Sequence, residues 1–141
     1  MDGMRTGLEH RLRRTERRIV EQHRHIRELT VELDRAAEAG RSAEVRTWLH
    51  RLEEALRAHF ELEEDVVFPA LHGMEPSQVA ALERLVREHG EMLEQLRRVR
   101  DATSEAEQGT VSDGLPALRS QLSDHERREE ALVKAVMSSH P

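Results

Sequence analysis

Cysteine is absent from the 141 residues, and so is tyrosine. Without thiols the chain forms no disulfide, no thiolate zinc finger and no iron–sulfur cluster, and nothing in it requires an oxidising compartment. Without a phenol it stores no tyrosyl radical, which argues against a ribonucleotide-reductase-like role. Aromatics are scarce, at one Trp and two Phe, and there are only 7 Gly and 4 Pro. A β-sandwich or barrel would want more aromatic, β-branched and turn residues. No apolar run nears the ~20 residues of a membrane span. The stretch from Met1 to Arg18 is polar and Arg-rich, unlike a secretory signal. A formal net charge of -6 argues against generic nucleic-acid binding. What remains is a chain with 35% charged and 37% hydrophobic residues, dominated by Ala, Glu, Leu and Arg. That mix and length predict a single all-α domain over residues 1–141, cytoplasmic, with no membrane partner. Histidine, present 9 times, is the residue in excess.

Sparse punctuation divides the chain into helices over about 6–39, 43–71, 76–107 and 116–138. Gly40 is a C-terminal stop, and Ser42 is placed to N-cap the second helix. Pro69 lies in the last turn of that helix and Gly73 follows. Pro76 suits the first turn of the third helix, Gly109 to Gly114 reads as a loop, and Pro116 opens the fourth. Long helices on short connections predict an antiparallel up-down-up-down four-helix bundle.

Each helix carries an apolar stripe at the 3–4 spacing of a bundle seam. The stripes are Leu12, Ile19, Ile26, Thr30 and Leu33, then Val45, Leu49, Leu52, Leu56, Val66 and Ala70. They continue as Leu82, Leu85, Met92, Leu96 and Val99, then Leu115, Leu118, Leu122, Leu132 and Val136. Every stripe is interrupted midway: by His23, by His59 and Glu63, by His89, and by His125 and Glu129. Six ionisable groups are thereby aimed at the core. A buried carboxylate without a partner costs several kcal/mol or protonates, so these groups need a common partner. Metal ions supply one.

One offset relates the six. His23 and His89, His59 and His125, and Glu63 and Glu129 are each 66 residues apart. Gln22 maps in the same way onto Glu88, a similar shape without the charge, and Glu64 maps onto Glu130. The chain reads as two copies of one helical hairpin, packed about a pseudo-twofold axis. Residues four apart share a helix face, so His59 with Glu63, and His125 with Glu129, reach one centre. A symmetric sketch gives two metals, two imidazoles on each, both carboxylates bridging, and a bridging oxo or hydroxo with an open position for a small ligand. Mixed His/carboxylate ligation without Cys suits two non-haem irons (Fe2+/Fe3+), with manganese or zinc as alternatives.

The spacing His…His-x-x-x-Glu…His…His-x-x-x-Glu resembles the hemerythrin-like (HHE cation-binding) domain family over nearly the whole chain. The motifs are Glu21-Gln22-His23-Arg24-His25-Ile26 and His59-Phe60-Glu61-Leu62-Glu63-Glu64, running on to Phe68-Pro69. They continue as Glu88-His89-Gly90-Glu91-Met92 and His125-Glu126-Arg127-Arg128-Glu129-Glu130. The resemblance implies a di-iron centre in a four-helix bundle that binds or reacts with O2, nitric oxide or peroxide, as sensor, scavenger or small redox enzyme. Oxygen-carrying hemerythrins have a further His one turn after the third-helix ligand, where this chain has Leu93. The resemblance is therefore nearer to bacterial hemerythrin-like and iron–sulfur repair di-iron proteins, and it favours redox reactivity over simple O2 carriage.

Other histidines read differently. His25 is off the stripe, and His10, His50 and His140 read as surface residues. His72 suits a helix C-terminal dipole. Glu64 and Glu130 are expected at an interface or in solvent, with Glu130 the alternative to Glu129 as bridge. Trp48 reads as packing, and Leu56, Leu85, Met92, Leu93 and Leu122 as walls of a dry pocket or ordinary core. The run Arg11, Arg13, Arg14, Arg17 and Arg18 reads as a solvated helix end balanced by Glu9, Glu16 and Glu21. The charged outer faces suggest a monomer or weak homo-oligomer. Two other functions compete: an iron handling or sensing protein, and a metal-free helical interaction module. Ferritin chemistry is disfavoured, because no His has Glu three residues before it.

Overall fold

A computed structural model describes residues 2–104 and 108–138. Among these residues there is no strand. Helix α1 spans Asp2–Glu38. Helix α2, Ser42–Leu62, runs through a π-helical turn at Glu63–Val67 into α3, Phe68–Met74. A short 3-10 turn at Pro76–Gln78 leads to α4, Val79–Ser104, and α5 covers Gln108–Ser138. Four helical rods therefore form the bundle, the second made of α2, the π turn and α3. None of the described helices is long and apolar enough to cross a membrane.

The end of α1 follows from Gly40. Its φ of 69° is left-handed, which only glycine adopts at no steric cost. Gly40 N–H donates to Ala37 O at 3.1 Å, and Arg41 N–H to Ala36 O at 3.0 Å. These are the paired bonds of a Schellman stop. The same turn overrides the expected cap of α2. Ser42 N–H is drawn back to Gly40 O at 3.2 Å. The N-cap position thereby falls to Arg41, which gives no side-chain cap, and Ser42 is the first helical residue.

Other boundaries differ from the sequence reading, and α1 begins at Asp2 where the start had been placed near Thr6. The segment Gly109–Gly114, read as a loop, has helical backbone, so α5 begins at Gln108 with Pro116 inside it. Close packing of α4 on α5 accounts for the glycine at its buried end. A Cβ on Gly114 would lie 2.5 Å from Val99 Cγ2, and Gln95 Nε2 donates to Gly114 O at 3.3 Å. The last expected residues of the third helix, 105–107, lie outside the described residues, as does His140. The second rod runs on to Met74, past the expected end near Leu71.

The π turn answers to Pro69. A proline has no N–H and its ring crowds the carbonyl four residues back. Phe68 N–H bonds to Glu63 O, five residues back, which widens the turn just before the proline. The extra residue shifts the register, so Val67 is buried and Val66 only half-buried, where the stripe had predicted Val66 inside.

The apolar core is in two parts. One gathers Leu33, Leu49, Leu52, Leu56, Met92, Leu96 and Leu118 with their neighbours. The other gathers Leu12, Val67, Phe68, Leu71, Leu85, Leu132 and Val136. Between them lies a polar layer of His59, Glu63, His89, His125 and Glu129, all buried, with half-buried His23 at its edge. α1 packs chiefly on α2, and α4 on α5, while the seam between α1 and α5 is thin.

Candidate metal centre

The six residues singled out by the 66-residue offset meet in this layer. His23 Nε2 lies 3.0 Å from His59 Nε2, and His89 Nε2 lies 3.2 Å from His125 Nε2. All four imidazoles thus turn Nε2 inward. Glu63 Oε1 sits among them, 3.2 Å from His59 Nε2, 3.2 Å from His89 Nε2 and 3.8 Å from His125 Nε2. Glu129 Oε2 is 3.5 Å from His125 Nε2. The donor atoms fall into two groups, each within 4.8 Å: His23 with His59 and Glu129, and Glu63 with His89 and His125.

Four imidazoles and two carboxylates in one buried layer are unfavourable without a partner. Both oxygens of Glu63 and Oε2 of Glu129 are buried without a well-directed hydrogen bond. Burial and close like charges shift these groups accordingly. Burial pushes the Glu129 carboxyl up to about 11, and the adjacent Glu63 adds to it. Burial works against an ionised Glu63 too, yet contacts with Glu129, His125, His59 and His89 hold it well below the usual carboxylate range. Two carboxyls this close do not both ionise by themselves, so the pair keeps one proton. Burial lowers His23, and the neighbouring His59 lowers it further. Burial opposes the charged form of His125, but Glu63 and then Glu88 raise it. Inward nitrogens, orphaned carboxylate oxygens and the absence of thiols fit hard or borderline cations.

The outward Nδ1 atoms are braced. His59 Nδ1 donates to Gln22 Oε1 at 2.8 Å, His125 Nδ1 to Glu88 Oε1 at 3.0 Å, and His89 Nδ1 to Glu64 Oε2 at 2.8 Å. His23 Nδ1 has only Glu126 Oε1, at 3.4 Å and shared with Arg27. Glu88 is itself held by Arg128, and burial notwithstanding, Arg128 and His125 keep it below the usual range. Glu64, expected at an interface or in solvent, lies half in water and anchors His89 across the helix interface. Glu88 and Glu126 were missed as braces. Their signal was present for Glu88, which precedes His89 and answers to Gln22 across the repeat. Phe60 stacks on His89 with ring centres 3.9 Å apart, and Phe68 lies 5.6 Å from the same ring.

Glu129 is buried and Glu130 exposed, so the layer receives the former. His10, His25, His50 and His72 are exposed and away from the layer. Two cavities flank His23 along the α1–α5 seam. One, of about 390 Å3, is lined by Ile26, Leu56, Phe60, Leu122 and His125 among others. The other, of about 430 Å3, is lined by Leu12, Ile19, Val67, Val133 and Glu129 among others. Leu56 and Leu122 thus line a cavity, while Met92 is fully buried core and Leu93 packs beside it.

Comparison with known proteins yields one result. No curated protein and no solved structure matches the chain. The family model of the Hemerythrin HHE cation binding domain matches residues 14–136, which takes in all six inward groups. The chain belongs to the hemerythrin HHE cation-binding family.

Proposed function

We propose that this chain is a non-haem di-iron protein that binds or reacts with O2, nitric oxide or peroxide. The observation that carries the reading is the convergence of four Nε2 atoms on two carboxylates whose buried oxygens lack hydrogen-bond partners. A metal-free interaction module would leave those oxygens orphaned. In this reading His23, His59 and Glu129 would hold one metal, and Glu63, His89 and His125 the other; Glu63 Oε1 also lies 3.2 Å from His59 Nε2. The near-identical inward pairs, 3.0 Å for His23–His59 and 3.2 Å for His89–His125, support two repeated hairpins in an up-down-up-down bundle.

When bound, a pair of redox-active metals supplies one-electron steps and an electrophilic position for a small ligand. The protein's own groups set the conditions. Hydrogen bonds at Nδ1 keep each braced imidazole in the tautomer that leaves Nε2 free to ligate. The apolar clusters on either side keep bulk water out. The cavities beside His23 admit a diatomic or peroxide from the α1–α5 seam. Cations in this layer would offset the burial and the Glu63 charge that keep the Glu129 carboxyl protonated, and both carboxylates would then be available to hold them.

The test is anaerobic loading with Fe(II), admission of O2, and optical spectra before and after degassing. Two irons per chain with charge-transfer bands are expected, and persisting bands would favour oxidative chemistry over carriage. Loss of iron is expected in the double variant His59→Ala, His125→Ala. Unchanged iron content in that variant would overturn the reading.

A further inference from the structure

The two halves of the centre match at their inward atoms and differ at their outward ones. At the Glu63, His89 and His125 position, both imidazoles donate to carboxylates, Glu64 at 2.8 Å and Glu88 at 3.0 Å. At the His23, His59 and Glu129 position, His59 donates to the neutral amide of Gln22 at 2.8 Å. His23 has a carboxylate only at 3.4 Å, and Arg27 stands at the same distance from the same oxygen. The side chain of His23 is also 17% exposed, against 4% to 5% for His59, His89 and His125.

We infer that the two metal positions are unequal, with the Glu63/His89/His125 position the tight one and the His23/His59/Glu129 position the exchangeable one. The inference rests on the two-metal reading above. A carboxylate behind a ligating imidazole draws on its N–H and makes the opposite nitrogen a stronger donor. A neutral amide does so less, because charge-assisted hydrogen bonds are about twice as strong as neutral ones. Arg128 fixes Glu88 in place without displacing it from His125, since both contacts coexist. Gln22 and Glu88 are thus positioning residues that divide the centre into a lasting half and a labile half. His23 lines both cavities on the α1–α5 seam, with His59 in one and Glu129 in the other, whereas of the tight half only His125 reaches one.

The experiment is a chelator challenge of the full chain loaded with Fe(II) without air, and separately with Co(II), following metal retained per chain. In the parent chain one metal is expected to leave at about tenfold to hundredfold lower chelator concentration than the second, the range that an imidazole-bracing partner commands. Gln22→Glu should raise the first midpoint and narrow the gap. Glu88→Gln should lower the second midpoint and narrow it from the other side. His59→Ala should keep one tightly held metal, and His125→Ala only a weakly held one. The Gln22→Glu gain of retention is an effect that a misfolded variant does not produce. Two metals leaving at one midpoint, or a gap unmoved by both Gln22→Glu and Glu88→Gln, would overturn the inference while leaving two-metal binding intact. Fewer than two metals in the loaded parent chain would overturn both.

Discussion

Glu63 and Glu64 are adjacent carboxylates with different work. Glu63 is fully buried with three imidazole nitrogens around one oxygen, whereas Glu64 is half in water and braces one ring from behind. Glu63→Ala is expected to leave at most one metal per chain after desalting, and Glu64→Ala two, the tighter of them weakened. Equal metal content in the two variants would refute the assignment. Glu129 carries a pH signature in metal-free protein. Burial and the adjacent Glu63 push its carboxyl up to about 11 in the fold, against about 4.3 in an unfolded chain. Between those values the folded state holds a proton that the unfolded state has released, so this group makes stability fall as pH rises. Urea unfolding of the metal-free chain at pH 5 and pH 8, compared with Glu129→Gln, isolates the effect. The variant should lose less stability between the two, and parallel losses would exclude Glu129 as the source.

At the scale of elements, the Schellman stop offers a clean test. Gly40→Ala forces an L side chain into left-handed backbone where nothing else touches it. A loss of about 1 kcal/mol is expected from that strain alone, read as a shifted urea midpoint at unchanged slope. Gly40 as a stop was legible in the sequence, because only glycine serves that φ. The six inward groups were legible too, since the offset of 66 repeats both their identity and their order. The π turn was not. An assumed constant helical period carries the stripe from Glu63 to Val66, and one extra residue in the turn makes it Val67 instead. Ser42 and Pro116 misled for a related reason. Both are common at helix starts, but a Schellman turn had already used the backbone ahead of Ser42, and the α5 backbone is helical well before Pro116. The braces behind the imidazoles were not legible, because a hydrogen bond across helices has no sequence period; the repeat paired Gln22 with Glu88 without marking either as a brace.

For the molecule as a whole, a layer of ionisable groups divides the apolar core in two. Each cluster alone is small, and joining them across an uncompensated layer is unfavourable. Cations that bind only the folded chain stabilise it by mass action, about 2.7 kcal/mol at one hundred times Kd. For a chain of this size, at roughly 3 °C per kcal/mol, that raises Tm by about 8 °C. Calorimetry with and without chelator checks this, and an unchanged Tm would mean that no metal bridges the layer. The chelated chain should also melt over a wider range than the loaded one, as the two ends lose their tie.

The thin seam lies between the first and the last described helices, and no loop joins one directly to the other. α1 is tethered to α2 by the three residues 39–41, so spreading that pair would strain a tight turn. α1 and α5 have no such leash. The wall that borders both cavities beside His23 is thus closed by side-chain contacts, such as Arg27 with Glu126 and Arg119 with Asp34, with no covalent connection to stretch and no turn to unmake if it parts.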